Sequence, residues 1–424
     1  MLMELHHAGQ AVADHAKETL IIVAFSLCYI GMILGRFPRL KLDRTGIALL
    51  CALLLLGSKA VSEKEALRAL DIPTLALLFG LMVVSVQLRL GGFYTKITIA
   101  FARLHLSPPF LLLGIMVSMG FLSAVFTNDV ICLATSPVII GICRRKGIDP
   151  LPYLLGLACA SNIGSALTLI GNPQNMLIAQ TLHLPFARYI VKAFPVVLVS
   201  LVASWAIIAS RWKGKWLLPE DPSVSLDESL FNPFDRWQTT KGLIIAVLLM
   251  VLFLGEWWPR ELCALAAAGV LLTSRRFRSC DILSLVDWQL FVLFISLFVI
   301  NDALYRTGFP QSAVISLGKL GIDLHHPDMI FGISVVLSNV VSNVPAVMLL
   351  LPWVKLPETG YLLAIASTFA GNLLIGGSIA NIIVVDQAAR AGITISWREH
   401  AKVGVPVTLT TLAITEVIML LHRL

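Results

Sequence analysis

The sequence predicts an all-α polytopic membrane protein made of two inverted repeats. Apolar residues occupy 57% of the 424 positions and charged residues only 13%, whereas a soluble domain carries about 25% charged residues. The Lys and Arg residues lie in short clusters between apolar runs, which is typical of a chain whose loops are sorted by a membrane. The net charge of +7 therefore does not indicate nucleic-acid binding, and polar motifs of the first half return in the second.

Eight apolar stretches are typical of single spanning helices, because about 20 residues at ~1.5 Å each cross a hydrocarbon core of ~30 Å. They are 20–35, 45–61, 73–89, 186–210, 242–256, 262–274, 288–305 and 403–421. Basic clusters such as Arg144–Lys146 and Arg275–Arg278 fall on one side of these spans, and the positive-inside rule makes that side cytoplasmic. The predicted topology has ten crossings of the plasma (inner) membrane with both termini outside, and no cleavable signal peptide in 1–20.

The stretch 107–142 does not fit a single span. Basic residues flank both of its ends, Arg103 on one side and Arg144 on the other, so both ends belong on the same face. Two arms of about 16 residues with a turn at mid-depth fit this length, because one straight helix would be about 54 Å long. We expect a re-entrant hairpin whose tip carries the polar residues of the motif FTNDVICLATSP.

The second half repeats this pattern. A second doubled apolar run, 328–354, aligns with the first at a constant offset of 215 residues. The matched positions are Ser123 with Ser338, Thr127 with Ser342, Asn128 with Asn343 and Pro137 with Pro352. The runs that follow, 150–181 and 361–388, are dense in Gly and Asn, and Gly171 and Asn175 match Gly377 and Asn381 at an offset of 206. Such density predicts two interrupted helices, and paired interrupted helices in inverted repeats indicate a transporter site near the bilayer midplane.

These observations divide the chain into three parts. The first inverted repeat covers 1–211, a cytoplasmic linker covers 212–241, and the second inverted repeat covers 242–424. The segment 91–105 and the segment Ser396–Lys402 resemble amphipathic helices that lie on the membrane surface.

The chain resembles the ion transporter superfamily, which contains arsenite-pump membrane subunits, NhaD-type sodium/proton antiporters, citrate-type permeases and divalent-anion/sodium symporters. The resemblance rests on FTNDVICLATSP, SNIGSALTLIGNPQN, SNVPAVMLLLP and AGNLLIGGSIANIIV. It implies that the hairpin tips and broken helices bind the substrate and cradle a coupling cation.

The resemblance assigns roles to matching positions. The expected substrate-binding residues are Thr127, Asn128, Asn175, Ser342, Asn343 and Ser378. The expected cation-coupling residues are Ser123, Gly164, Ser338 and Gly377, to which Asp129 is added because it is an intramembrane carboxylate. Two Na⁺ cages are implied, one at Ser123, Thr127 and Asn128 and the other at Ser338, Ser342 and Asn343. The third position of each tip triplet departs from the family's Thr and is Asp129 or Val344, which weakens the case for a dicarboxylate.

Several of these residues have a second interpretation. Ser, Thr and Asn side chains also join membrane helices without binding a ligand. Asp129, the only acid of the first hairpin, either carries a proton or cation, as intramembrane carboxylates commonly do, or caps the second hairpin arm. Asp386 is explained by a surface ion pair with Arg390 one helical turn later.

The predicted function is secondary active transport of a small inorganic or organic anion, or an oxyanion-like metalloid, coupled to H⁺ or Na⁺. The alternative is an NhaD-like Na⁺/H⁺ antiporter without an anion substrate. A channel is the next class, and an enzyme is disfavoured because the sequence lacks a His-rich metal motif or a Ser/His/Asp arrangement. No cofactor is predicted. Membrane lipid surrounds the chain, the resemblance allows a homodimer, and ATP drive would need a separate ATPase subunit because no P-loop is present.

Overall fold

The computed structural model describes residues 2–35, 42–104, 106–217 and 234–421. The regular structure in these ranges consists of helices joined by turns and loops, with an isolated antiparallel bridge between Ile148 and Leu217. The helices of the first half are α1 Leu2–Leu34, α2 Arg44–Gly57, α3 Glu63–Ala69, α4 Ile72–Leu90, α5 Phe93–Arg103, α6 Pro108–Val125, α7 Asn128–Arg145, α8 Leu151–Ser165, α9 Pro173–Thr181 and α10 Phe186–Arg211. Those of the second half are α11 Arg236–Gly255, α12 Arg260–Leu272, α13 Ser279–Leu283, α14 Trp288–Arg306, α15 Phe309–Lys319, α16 Pro327–Val341, α17 Asn343–Leu350, α18 Pro357–Ala370, α19 Ile379–Arg390 and α20 Trp397–Leu421. Most of the predicted linker, 218–233, lies outside the described residues.

Seven of the described helices are long and apolar enough to cross a membrane. They are α1 (from His15), α4, α6, α10, α11, α14 and α20. The predicted spans 45–61 and 262–274 form shorter helices, α2 and α12, of 14 and 13 residues. These findings confirm an all-α integral membrane protein.

Helices α4 and α14 begin with the same cap. Asp71 accepts a hydrogen bond from the backbone of Thr74 at 3.0 Å before α4, and Asp287 accepts one from Leu290 at 3.1 Å before α14. An Asp at this position satisfies a backbone N–H that has no partner within the helix. The cap fixes where each helix begins and recurs at corresponding points of the two halves.

The first hairpin turns back as the sequence predicts. The Tyr153 hydroxyl, at the start of α8, donates to the carbonyl of Pro108 at 3.0 Å, and the backbone of Ile148 donates to Cys143 at 3.0 Å. Both ends of the hairpin therefore lie beside the start of α8. The tip lies beside the end of α8, where the Asn128 amide donates to Asn162 at 3.3 Å.

The second hairpin also closes on itself. His325, just before α16, contacts the carbonyl of Trp353 through Nδ1 at 3.3 Å. Its second arm consists of α17 and the 3-10 turn Leu351–Trp353. The predicted hairpin stretches are 107–142 and 328–354, and the paired helices at these places cover 108–145 and 327–353.

Both predicted broken helices are interrupted. The helical run 151–181 breaks over 166–172, between α8 and α9, and the run 357–390 breaks over 371–378, between α18 and α19. In the first break a Cβ on Gly171 would lie 2.2 Å from the carbonyl oxygen of Ser165, so a larger residue does not fit there. The chain can fold back on itself at this point because glycine has no side chain.

In the described ranges each half contains ten α-helices in a matching order, and their packing is reciprocal. Helix α4 packs against α12 while α2 packs against α14, α7 packs against α19 while α17 packs against α9, and α10 packs against α20. Reciprocal contacts of this kind are what a pseudo-twofold axis produces. The direction in which each repeat crosses the membrane remains a prediction.

The first segment predicted as a surface helix is helical, and the prediction of a second, separate helix is wrong. The segment 91–105 contains α5, which follows Gly92 at φ +73°, and an unpredicted counterpart, α15, follows Gly308 at φ +74°. Ser396–Lys402 is not a separate helix, because Trp397–Lys402 runs on into α20 without interruption. Ser396 and Glu399 cap this helix reciprocally, and the residues after them remain helical and apolar.

Candidate functional site

The tip of the first hairpin lies against the first broken helix. The backbone N–H of Asn128 donates to the carbonyl of Gly171 at 3.3 Å, and α7 begins at this residue. Ser123, Thr127 and Asn128 are buried in the surrounding protein. The tip is therefore held by the break that follows it in the chain.

Asn162 joins the two halves at the centre of the molecule. Its amide nitrogen donates to Asn372 at 2.9 Å and to Asn381 at 3.1 Å. Its amide oxygen accepts from Ser378 at 2.9 Å and from Asn128 at 3.3 Å. All four hydrogen bonds open to an asparagine side chain are thus made, and three of the partners lie in the second repeat.

Thr368 makes the corresponding junction from the second repeat. It lies 206 residues after Asn162, which is the offset of the two broken helices. Its hydroxyl oxygen accepts from Asn172 at 3.1 Å and from Gln174 at 3.3 Å, and the Asn175 amide oxygen lies 3.4 Å away. Each broken helix therefore inserts one polar side chain into the break of the other.

The tip of the second hairpin is held in the same way. With its amide oriented to satisfy its neighbours, Asn343 donates to the carbonyls of Gly377 and Ser367, each at 3.0 Å. Ser342, just before it, has φ +78° and ψ 162°, a region that non-glycine residues occupy at a cost of about 1–3 kcal/mol. Such strain is typical of functional positions, and Thr127 at the first tip has an ordinary φ of −62°.

Each tip leaves buried oxygen atoms without a donor in the described part of the chain. They are Ser123 Oγ, Thr127 Oγ1 and Asn128 Oδ1 at the first tip, and Ser338 Oγ and Asn339 Oδ1 at the second. Buried polar atoms are nearly always paired, so unpaired oxygens at two matching places need an explanation. Neutral oxygens of this kind suit a coupling cation such as Na⁺.

The centre is also where helices start and stop. Helices α7, α9, α17 and α19 begin here, and α6, α8, α16 and α18 end here. Helix N-termini carry partial positive charge and C-termini partial negative charge, so the same region offers N–H groups to an anion and carbonyls to a cation. One basic side chain that reaches this region is Arg44, whose Nη1 donates to the carbonyl of Gly376 at 3.3 Å.

Two glycines of the predicted cation set have different surroundings. A Cβ on Gly164 would lie 2.1 Å from the carbonyl oxygen of Gly120, so Gly164 allows α8 to approach α6 closely. Gly377 lies against Asn339 and its carbonyl accepts from Asn343. Gly377 thus lies beside the unpaired Oδ1 of Asn339, whereas Gly164 is a packing contact. The role of both glycines as cation ligands remains a prediction.

The predicted substrate residues are not equally available. Asn175 is occupied, because its amide donates to the carbonyl of Thr168 at 3.3 Å and to the Tyr189 hydroxyl at 3.5 Å. Ser378 donates to Asn162. At the tips, Thr127 and Asn128 have oxygens that no protein donor reaches in the described ranges. These last two are better placed to contact a cargo.

Asp129 is half-buried one residue after the tip, and no donor from the described residues reaches its carboxylate at hydrogen-bond distance. The capping interpretation therefore has no supporting hydrogen bond. Asp386 makes the expected ion pair with Arg390 at 2.8 Å, and Asp302 of α14 pairs in the same way with Arg306 at 2.7 Å.

Sequence reasoning missed several residues of the centre, among them Asn162, Asn172, Thr368 and Asn372. A signal for them was present, since Asn162 and Asn372 are amide side chains inside otherwise apolar runs of the two broken helices. Their mutual contact could not be predicted, because it joins residues 210 positions apart.

A cavity lies next to the second hairpin. It has a volume of about 500 Å³ and its wall includes Leu177 of α9, Met348 of α17 and Asp302 of α14. Asp71 and Tyr305, at helix ends on the predicted outer side, also line it. The central amides are absent from its wall, so protein separates them from this cavity.

Comparison with known proteins identifies the family. Residues 29–361 match the family model CitMHS, described as "Citrate transporter". The chain is 30% identical to the inner membrane protein YbiR of Escherichia coli over 78% of this chain and 83% of YbiR. It is 27% identical to the silicon efflux transporter LSI3 of Oryza sativa over 95% of this chain and 98% of LSI3.

The fold is similar to that of a solved transporter. The crystal structure of the YdaH transporter of Alcanivorax borkumensis superposes with a TM-score of 0.54 at 14% identity, covering 96% of this chain and 97% of that one. At this identity the likeness concerns the fold alone. Together with the family match and the apolar helices, it establishes that this chain is an integral membrane protein and belongs to the CitMHS citrate transporter family.

Proposed function

We propose that the protein is a secondary active transporter that moves a small anion or an oxyanion-like metalloid species by alternating access, coupled to H⁺ or Na⁺. The observation that carries the proposal is the centre around Asn162, where both hairpin tips and both broken helices meet. Side chains from the two repeats share hydrogen bonds there, so a relative movement of the repeats would change the centre itself.

The chemistry of the centre supports a small, hydroxylated cargo. Its side chains are amides and hydroxyls, which both donate and accept, and a buried donor, the Asn372 amide nitrogen, has no acceptor among the described residues. One relative, which aligns with this chain over nearly the whole length of both proteins, is named a silicon efflux transporter. Silicic or arsenous acid would present hydroxyl groups to such a surface, and the helix N-termini would favour a deprotonated form.

The reciprocal packing supports alternating access. If the pseudo-twofold axis lies in the membrane plane, the repeats are inverted, and exchanging their conformations opens the site to the opposite side. The cavity at Asp302 and Met348 is on the predicted outer side and would be the outward vestibule. This arrangement would place both termini outside the plasma (inner) membrane.

The test is uphill transport by the purified full-length protein in proteoliposomes. Silicic acid, arsenite and citrate are supplied at equal concentrations inside and outside, and a pH or Na⁺ gradient is then imposed. We expect accumulation of one of these probes that stops in Asn128→Ala and Asn343→Ala. Flux that only ever equilibrates, with or without a gradient, would identify a channel instead.

An NhaD-like Na⁺/H⁺ antiporter is the second candidate, and one observation favours it. Asp129 lies next to the unpaired oxygens of Thr127 and Asn128, so a carboxylate that can take up a proton adjoins a potential Na⁺ cage. An antiporter would move protons when Na⁺ is added to vesicles free of any anion probe, and an anion carrier would not. A pH-sensitive dye inside the vesicles distinguishes the two.

A further inference from the structure

In each repeat, an aromatic side chain of the last helix contacts a backbone carbonyl in the break of that repeat's broken helix. The Tyr189 hydroxyl of α10 donates to the carbonyl of Ala166 at 2.8 Å. His400 Nε2 of α20 lies 3.1 Å from the carbonyl of Asn372, and Nε2 carries the proton in this contact because a carbonyl only accepts. The two contacts occur at the same place in the two halves.

The sequence numbers support this correspondence. Ala166 and Asn372 are 206 residues apart, which is the offset of the broken helices, and Tyr189 and His400 are 211 apart. Pro195 and Pro406, inside the same two helices, also differ by 211. His400 is therefore the second repeat's counterpart of Tyr189.

His400 supports a part of the centre that the cargo would use. Asn372 accepts from Asn162 through its side-chain oxygen at 2.9 Å, while its amide nitrogen is the buried donor without an acceptor in the described ranges. A Cβ on Gly404, one turn after His400, would lie 2.3 Å from the carbonyl oxygen of Asn372. Helix α20 thus presses directly on the second break, with the imidazole as its polar contact.

The two aromatic side chains differ in the pH range in which their type of group changes charge. Phenol ordinarily titrates near pH ~10 and imidazole near ~6.5. Both residues are buried, with Tyr189 0% and His400 2% exposed, and a charge added to such a place without a carboxylate is costly. Of the two side chains, His400 is the one whose type ordinarily changes charge between about pH 5.5 and 8.

We propose that His400 is a proton-responsive positioning residue, which holds Asn372 in the centre while neutral and releases the second break when protonated. If the proposed transport function holds, this makes the second broken helix the element through which protons act. The proposal itself concerns the conformation of the break and can be tested without a substrate.

Charged groups near His400 do not cancel an added proton. The elements packed against α20 are α10, α18, α8 and the 3-10 turn Ile375–Gly377. The titratable residues of these helices are Arg188, Tyr189, Lys192, Arg211, Glu358, Tyr361, Tyr153 and Cys159. Arg44 bonds to the turn, and the titratable residues near His400 on α20 itself are Arg398, Glu399 and Lys402. Glu358 lies within 3.8 Å of Lys192 and Arg188, Glu399 caps its own helix, and among the described residues no carboxylate is within ion-pair distance of His400.

Hydrogen exchange of the full-length protein in lipid nanodiscs tests this. Exchange of peptides covering 366–378 and 160–172 is measured from pH 8 to 5.5 and normalised for intrinsic rates. We expect the second break to exchange faster as the pH falls, by up to about tenfold per pH unit below ~6.5, because opening then takes up one proton. The first break, held by Tyr189, should not change.

Three variants complete the experiment. His400→Tyr puts the first repeat's residue into the second, and His400→Gln keeps a neutral donor, so both should make the second break insensitive to pH. Tyr189→His should transfer the sensitivity to the first break. A wild-type second break that exchanges equally at pH 8 and 5.5, or a His400→Tyr protein that still responds, overturns the proposal. Absence of uphill flux with a normal exchange response would contradict the transport function alone.

Discussion

The side chains of Asn162 and Asn372, from different halves of the chain, are joined by a hydrogen bond of 2.9 Å between Nδ2 and Oδ1. Asn162 lies near the end of α8, the first segment of one broken helix, and Asn372 lies in the break of the other. This contact joins the two broken helices, and both side chains are buried.

Asn162→Ala should destabilise the protein and abolish transport. The change leaves Asn372, Asn381, Ser378 and Asn128 without a shared partner, and each buried unsatisfied group costs about 1–3 kcal/mol. Thermal unfolding in detergent measures the loss.

The matched control for this variant is Asn301→Ala. The Tyr29 hydroxyl bonds to Asn301 at 3.0 Å but has a second acceptor, the Pro345 carbonyl, at 3.5 Å. Equal loss of stability in both variants would show that the Asn162 network contributes no more to stability than the single hydrogen bond of Asn301.

Gly164→Ala should disrupt the packing of the first hairpin. The new methyl group would lie 2.1 Å from the carbonyl oxygen of Gly120, and overpacking of a close contact costs about 1–3 kcal/mol or more. Gly332→Ala, within α16, is the control, because no atom lies within 4 Å of its Cβ position. The control should be neutral or more stable by about 0.5–1 kcal/mol, since alanine favours a helix. Denaturation of both variants against wild type gives the result.

Ser123→Ala should remove a dependence on Na⁺ without harming the fold. The hydroxyl is buried and has no donor or acceptor among the described residues, so its loss removes an unpaired polar group. We expect wild type to melt at a higher temperature in NaCl than in choline chloride, and the variant to melt equally in both.

Ser204→Ala is the control for the Na⁺ experiment. This buried hydroxyl donates to the carbonyl of Ser200 at 2.7 Å within α10, far along the chain from either tip. It should keep the Na⁺ effect. A Na⁺ effect that survives in Ser123→Ala would remove the first cage from the mechanism.

Asp129→Asn should separate coupling from binding. An amide cannot carry a proton, so uphill transport driven by a pH gradient should fall to the background rate if Asp129 couples protons. Binding of the anion probe, followed by its effect on the melting temperature, should persist in an anion carrier. Asp386→Asn, whose carboxylate pairs with exposed Arg390 at 2.8 Å, should transport normally. Full pH-driven accumulation in Asp129→Asn would exclude the coupling role.

The sequence determined the elements of this fold to a large extent. Hydropathy defines the spans because a hydrocarbon core requires a fixed length of apolar helix. Matching polar motifs 215 and 206 residues apart located both hairpins and both breaks, since Gly, Pro and Asn interrupt a helix wherever they gather. The Ser396–Lys402 prediction failed because a local amphipathic pattern does not tell whether a helix ends or continues into the next span.

The contacts at the centre were decided by the tertiary structure. Motif matching put Asn128 and Asn343 at the tips, yet it could not indicate that Asn162 would reach Asn372, or that His400 would stand where Tyr189 stands. Periodicity reports which face of a helix is polar, whereas the partner of a polar group depends on how distant helices pack. A buried amide is stable only if its neighbours complete its hydrogen bonds, and those neighbours are brought together by the reciprocal packing of the two repeats.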